Sequence, residues 1–339
     1  MQAQVINNIP LTHTLEHLAL KMLLSYCHNV IYMNHFADLL TNRISELNNP
    51  SVVGLDPRLS QIPKFIKDEA LEEFGETFEA AAASILIFNK GIIDAIADIV
   101  PAVKPQIAFY ECFGHEGVKA YQETISYAKE KGMIVIGDAK RNDIGTTATA
   151  YAEAHIGMVD LFGEMAPVFD ADAVTVTPYL GTDGIKPFTK VCAEQGKGIF
   201  VLVRTSNPSS DEIQGQVIGD HLMDEHVASL VEGWGRDLIG DSGFSSVGAV
   251  VGATYPEEAH ILRNLMPNQI FLVPGYGAQG GGAEDTKPCF HSNGTGAIVN
   301  SSRGIIFAYE INKQPGEAYA DAARVAAIKM KEDLEKLFV

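Results

Sequence analysis

The sequence predicts an α/β fold, a single-domain (β/α)8 barrel of the TIM type. Three observations lead there. From Ser51 onward, short apolar segments alternate with amphipathic or Ala-rich helical patterns, the mark of βαβ units and a parallel sheet. These apolar segments number eight, the count that closes a barrel. The charged and Gly-rich residues gather just past the C-terminal ends of those segments, where such barrels carry their active sites.

Taken in order, the stretch 33–47 reads as an amphipathic helix, and a first strand at 51–55 ends on Asp56-Pro57. An Ala-rich helical pattern spans 74–99. A short second strand at 102–103 closes on Lys104, Pro105 and Gln106. A helix over 117–131 leads to the third strand, 133–137, and its charged terminus. Helix is expected over 151–162, then a fourth strand at 173–177 followed by Pro178-Tyr179-Leu180-Gly181-Thr182. The fifth, 199–203, runs into Arg204-Thr205-Ser206-Asn207-Pro208, and the polar stretch 209–219 has the length of a mobile lid. A helix at 220–239, strands at 247–251, 270–273 and 297–300, and a helix over 317–337 complete the chain.

Composition narrows the function classes. With 339 residues, 46% of them hydrophobic, the chain can bury a large core. Its net charge of −18 argues against nucleic acid or an anionic membrane as partner, so an anionic substrate would need a local basic island. Four scattered cysteines (Cys27, Cys112, Cys192, Cys289) without a CxxC pair fit reduced thiols and a cytoplasmic location. Glu16, His17, Lys21 and His28 interrupt the N-terminal apolar stretch short of a membrane span, and no signal-peptide pattern is present. Residues 1–32 are therefore expected to be an appendage to a barrel domain at 33–339, consistent with a mis-assigned start codon. The histidines show no metal-ligand spacing, and no metal is expected.

The chain centres on residues 133–147, MIVIGDAKRNDIGTT. An apolar strand ends abruptly in Asp138, Lys140, Arg141 and Asp143. Side chains at i and i+2 of a strand share a face, so Asp138 and Lys140 should emerge side by side. An ammonium between carboxylates keeps its proton, which makes Lys140 a cation and proton donor. Read alone, the motif would serve equally as a charged loop capping a strand. Asp56 and Lys104 end strands one and two at the same mouth and extend the alternation of acid and base, suited to a polyhydroxyl such as ribose. Ser206 and Thr182 are further candidates, although either residue type equally caps a helix.

Residues 275–280 match G-x-G-x-x-G, but after the seventh strand and with no acidic residue about twenty positions on, so a dinucleotide site is rejected. The glycines instead let backbone N–H groups approach an anion, and loops after strands seven and eight are where barrels bind phosphate. Gln279 and Arg303 would supply an amide and a charged fork to the phosphate oxygens.

These residues resemble the orotidine 5′-phosphate decarboxylase family. The resemblance rests on DAKRNDIGTT at 138–147 with its Asp-x-Lys-x-x-Asp, GLDPRL at 54–59, VKPQIAFYE at 103–111, VTPYLGTDG at 176–184, VRTSNPSS at 203–210, PGYGAQGG at 274–281 and VNSSRGI at 299–305. It covers the chain from about Met33 onward and is similar to the longer bacterial-type subfamily. The resemblance implies decarboxylation of orotidine 5′-phosphate to uridine 5′-phosphate, a carboxy-lyase step of pyrimidine biosynthesis, with no cofactor and no metal. It implies that Asp138 sits against the substrate carboxylate and Lys140 protonates C6. Asp56 and Lys104 would bind the ribose hydroxyls, with Gln106 nearby where relatives often carry Asn, Ser206 would contact the pyrimidine, and Gln279 and Arg303 would hold the phosphate. Asp143, Ile144 and Thr147 would reach into the partner's site across a homodimer. Many relatives carry glycine before the arginine, where this chain has Ser302.

Three rivals share parts of this pattern. A magnesium-dependent sugar-phosphate decarboxylase of the same superfamily would need acidic metal ligands. A Schiff-base aldolase would need a neutral Lys140. A catalytically dead phosphate-binding barrel would bind nucleotide without turnover.

Overall fold

The computed structural model describes residues 35–277 and 281–338, so the expected appendage and Gln279 lie outside the described residues. All eight expected strands are present: β1 Ser51–Leu55, β2 Ala102–Pro105, β3 Ile134–Arg141, β4 Ala173–Val176, β5 Gly198–Arg204, β6 Ser245–Val251, β7 Gln269–Val273 and β8 Ala297–Ser301. Neighbours pair in parallel in chain order, and β8 returns to β1, so the barrel is closed. The strands read as unbroken apolar runs because both faces are buried. One set of alternating residues, among them Val52, Ala102, Ile136 and Ile298, fills the barrel interior. The other, including Val53, Val103, Val135 and Val299, packs beneath the helices.

The N-terminal end of the barrel is plugged by α1 (Phe36–Leu47). Phe36 and Leu40 are fully buried, and the Phe36 ring meets Phe200 edge to face at 5.8 Å. Gly198 opens β5 without a side chain because a Cβ there would lie 2.1 Å from Phe36 Cδ1. Around the barrel run α2 (Lys64–Phe74), α3 (Phe78–Ile96), α4 (Gly114–Glu130), α5 (Gly145–Ile156), α6 (Thr182–Gln195), α7 (Met223–Gly235), α8 (Pro256–Leu265) and α9 (Tyr319–Glu335). Thr77 caps α3, its hydroxyl accepting from Ala80 N at 3.3 Å.

One segment differs from expectation. The helix expected over 151–162 starts at Gly145 and stops at Ile156. Beyond it, Met158–Leu161 and Glu164–Pro167 form an antiparallel hairpin. Its tip, Phe162-Gly163, has φ of 59° and 97°, the left-handed pair that suits a two-residue hairpin turn. The polar stretch 209–219 carries local structure of its own: Pro208–Glu212 makes a 3-10 turn and Val217–Ile218 pairs with His221–Leu222. Buried Arg204 ties it down, with Nη2 2.6 Å from Asp211 Oδ1 and the guanidinium 4.0 Å above the Tyr255 ring. Gln214 accepts from Thr205 N at 2.8 Å and closes the same loop.

Candidate active site

The uppermost inward-facing residues of the barrel form the floor of a cleft of about 550 Å³ at the C-terminal ends of the strands. Its two halves differ chemically. Strands β2, β3 and β4 contribute Lys104, Asp138 and Thr175, whereas β5, β6 and β7 contribute Leu202, Val250 and Leu272. Asn300 of β8 completes the ring. Gly54 of β1 has no side chain because a Cβ there would lie 1.8 Å from Ser302 Oγ and 3.2 Å from Asn300 Oδ1. Ser302, the departure noted in the sequence, thus leans across the end of β1.

Asp138 is the hub. Its Oδ2 accepts from Lys104 Nζ at 2.6 Å and Gln106 Nε2 at 2.8 Å. Its Oδ1 accepts from Lys140 Nζ at 2.5 Å and Thr175 Oγ1 at 2.9 Å. Burial favours the neutral carboxyl, but the ammonium groups of Lys104 and Lys140 outweigh burial and hold it well below the usual carboxylate range. Burial likewise acts against the charge on Lys104, yet the carboxylates of Asp138 and Asp56 prevail and raise it above an ordinary lysine. The two lysines differ in access. Lys104 has 7% of its side chain exposed and Lys140 has 44%, so Lys140 carries the charge that faces the cleft.

Lys140 reaches that position by a route other than strand alternation. Gly137 pairs with Val174 and Arg141 with Val176, so Asp138, Ala139 and Lys140 oppose Thr175 alone. At this bulge Lys140 has φ of 48°, an uncommon conformation for a lysine. The side-by-side emergence of Asp138 and Lys140 is observed, but the bulge produces it.

Across the cleft stand Thr205, Ser206, Asn207, Gln214, Pro274, Gly275, Tyr276, Ser302 and Arg303. Gly275, with φ of 111°, turns the chain after β7 as the glycine-rich loop begins. Arg303 opens a short helix, is exposed and has no side-chain partner among the described residues. Asp56 is half-buried at the rim, and its Oδ1 is buried without a partner among the described residues, as is Asn300 Oδ1. Lys104, Lys140 and Arg303 set three cations against the two carboxylates Asp56 and Asp138. This is the local basic island that an anionic substrate requires in a chain of net charge −18.

Of the residues singled out in the sequence, Asp56, Lys104, Asp138, Lys140, Ser206 and Arg303 line this cleft, and Gln106 touches it through Asp138. Gln279 lies outside the described residues. Thr182 is not among the lining residues: it is exposed, and its hydroxyl accepts from Trp234 Nε1 at 3.0 Å. Asp143, Ile144 and Thr147 do not line the cleft of their own chain either. Ile144 is 52% exposed, and the Asp143 carboxylate accepts only from the Ile144 N–H among the described residues. Sequence reasoning missed Thr175, Asn300 and Gln214. The inward register of β4 and β8 would have exposed the first two, since each lies two residues beyond a core position on the same face.

Residues 88–319 match the family model described as Orotidine 5'-phosphate decarboxylase / HUMPS family. The chain is 45% identical to the orotidine 5'-phosphate decarboxylase of Rhodopirellula baltica over 307 residues, covering 89% of this chain and all of that protein. Among solved structures, it superposes on Leishmania donovani OMP decarboxylase with a TM-score of 0.67 and 31% identity, covering 90% of this chain and 99% of that one. It also superposes on Leishmania donovani UMP synthase with a TM-score of 0.69 and 32% identity, over 90% of this chain but only 56% of the longer one.

Proposed function

The chain belongs to the orotidine 5′-phosphate decarboxylase family and is a decarboxylase of orotidine 5′-phosphate that yields uridine 5′-phosphate; we propose that it works without a cofactor or metal, through Lys140. The observation that carries this reading is the buried Asp138 carboxylate, held ionised by Lys104 and Lys140, with the Lys140 ammonium turned into the cleft. When the C6–carboxylate bond breaks, its electron pair stays on C6 in the plane of the pyrimidine, where the ring delocalises it poorly. A fixed ammonium at that point stabilises the developing charge and then delivers its proton to C6. Asp138 keeps the ammonium oriented and lies beside the departing carboxylate.

The remaining roles follow from chemistry and reach. Asp56, Lys104 and Gln106 bind the ribose hydroxyls, Ser206 the pyrimidine, and Arg303 with Gln279 the phosphate. Phosphate binding is remote from C6, so its energy serves to orient the ring over Lys140. Asp143, with Ile144 and Thr147, extends to the site of a second copy in a homodimer, which the exposure of Ile144 and Thr147 and the absence of all three from their own cleft support. The same reading makes the enzyme cytoplasmic, with no membrane or nucleic-acid partner. Among the described residues no helix is long and apolar enough to cross a membrane, and Cys112, Cys192 and Cys289 are free thiols.

The test is loss of orotidylate absorbance with purified protein, with and without EDTA. Turnover should be insensitive to EDTA, and Lys140→Ala should abolish it while uridylate binding stays measurable. Near-normal turnover in that variant refutes the role of Lys140; loss with EDTA refutes the metal-free mechanism.

A further inference from the structure

We propose that Thr175 is a positioning residue for the decarboxylation, the group that locks Asp138 and Lys140 in their working geometry. The inference rests on the reading that Lys140 and Asp138 act at C6. It starts from the bulge in β3, where Asp138, Ala139 and Lys140 face the single residue Thr175. A bulge of this size leaves backbone groups without a ladder partner, and a buried N–H must find one elsewhere. The N–H of Lys140 donates to Thr175 Oγ1 at 2.9 Å, so a side chain of β4 replaces the missing ladder bond. Having accepted there, the hydroxyl has one proton to donate, and it points to Asp138 Oδ1 at 2.9 Å. That same oxygen takes the Lys140 ammonium at 2.5 Å.

The four groups close a ring: Lys140 N–H to Thr175, Thr175 to Asp138, and Asp138 back to the end of the Lys140 side chain. One hydroxyl therefore fixes both ends of the lysine. It holds the backbone at φ of 48°, which aims the side chain into the cleft, and it pins the carboxylate oxygen that steers the ammonium. Thr175 is 1% exposed, so its hydroxyl is held by these two partners rather than by bulk solvent. Its β-branch restricts χ1 and with it the hydroxyl direction. An apolar residue of the same shape would fill this space equally well, so packing alone does not require the hydroxyl.

The experiment compares Thr175→Val, which keeps the shape and removes the hydroxyl, with Thr175→Ser, which keeps the hydroxyl. The readouts are kcat, KM and the affinity for uridylate. Thr175→Val should lower kcat on the order of 10²-fold, the scale of a misplaced reacting group, with KM and uridylate affinity held. Thr175→Ser should restore most of kcat. A kcat for Thr175→Val within about twofold of the parent overturns the inference, as does a matched loss in kcat and uridylate affinity. If Thr175→Val does not fold, Thr175→Cys keeps the bulk with a weak donor and reads the same way: kcat lowered at constant KM supports the lock, and unchanged kcat overturns it. Lys140→Ala separates the two layers. An active Lys140→Ala sinks the underlying reading, whereas an inactive one beside a fully active Thr175→Val sinks only the role of Thr175.

Discussion

Replacing Lys104 with methionine tests the electrostatic account of the cleft floor directly. Methionine keeps most of the stem volume and removes the ammonium that lies 2.6 Å from Asp138 Oδ2. Both partners are buried, with 7% and 9% of their side chains exposed, so little solvent screens the pair. Removing one member of such a pair costs about 3–5 kcal/mol because the other charge stays buried. Lys140, Gln106 and Thr175 still hold Asp138, which puts the expected loss near the lower end, about 3 kcal/mol at neutral pH. For a domain of this size that corresponds to a fall in Tm of about 5 °C.

The pH dependence gives the sharper test. In the parent the Asp138 pKa is depressed, so its stabilisation is present above the ordinary carboxylate value and is lost only as pH falls through the lower folded value. Without Lys104 the folded pKa rises, because burial is then opposed by Lys140 alone among the cations. The Tm gap between parent and Lys104→Met should therefore be widest at neutral pH and narrow in acid, as pH falls through the variant's Asp138 value toward the parent's lower one. Differential scanning fluorimetry across that range measures it. Adding Asp138→Asn should recover part of the lost stability, since no buried charge is then left poorly paired. A gap that is absent at neutral pH, or constant across the range, refutes the argument.

Two further perturbations follow from the opposite wall of the cleft. Arg303→Ala should raise KM for orotidylate about 10–100-fold through loss of charge-assisted phosphate contacts; initial rates over a wide substrate range check this, and an unchanged KM removes Arg303 from the phosphate site. Gly54→Ala should sharply reduce activity, because the new Cβ meets Ser302 Oγ at 1.8 Å. Adding Ser302→Gly should restore part of it, and equal activity of Gly54→Ala and its parent would show that the close approach carries no cost.

The eight strands were legible because a doubly buried strand must be apolar on both faces, which leaves runs such as 134–136 and 199–203 with no other reading in an alternating chain. The site residues were legible for the opposite reason. Charge at the end of an apolar run has nowhere to go in a barrel except the mouth, which gave Asp56, Lys104, Asp138 and Lys140 together. The hairpin at 158–167 was missed because its outer face carries exposed Met158 and Met165, so that periodicity had no buried stripe to report. The clasp at 204–224 was missed because Arg204 is buried by acidic residues far along the chain, Asp224 and Glu258 among them, whose approach no local pattern encodes.

The bulge in β3 belongs to neither class, and it bears most directly on function. A regular strand continuing through Asp138 and Lys140 would put both side chains on the inner face, but their Cβ atoms would then diverge along the strand by two residues' rise. The left-handed turn at Lys140 removes that separation and brings the ammonium back onto the carboxylate two residues earlier. Such a backbone conformation is unfavourable for a lysine and persists only where the surroundings over-determine it. Here the determinants are the Thr175 hydroxyl on the Lys140 N–H and the Asp138 carboxylate on its ammonium, two contacts from different strands that converge on one residue. On the proposed mechanism the Asp-x-Lys spacing names the groups that act. On the same mechanism, the single residue on β4 that faces three on β3 sets where they act.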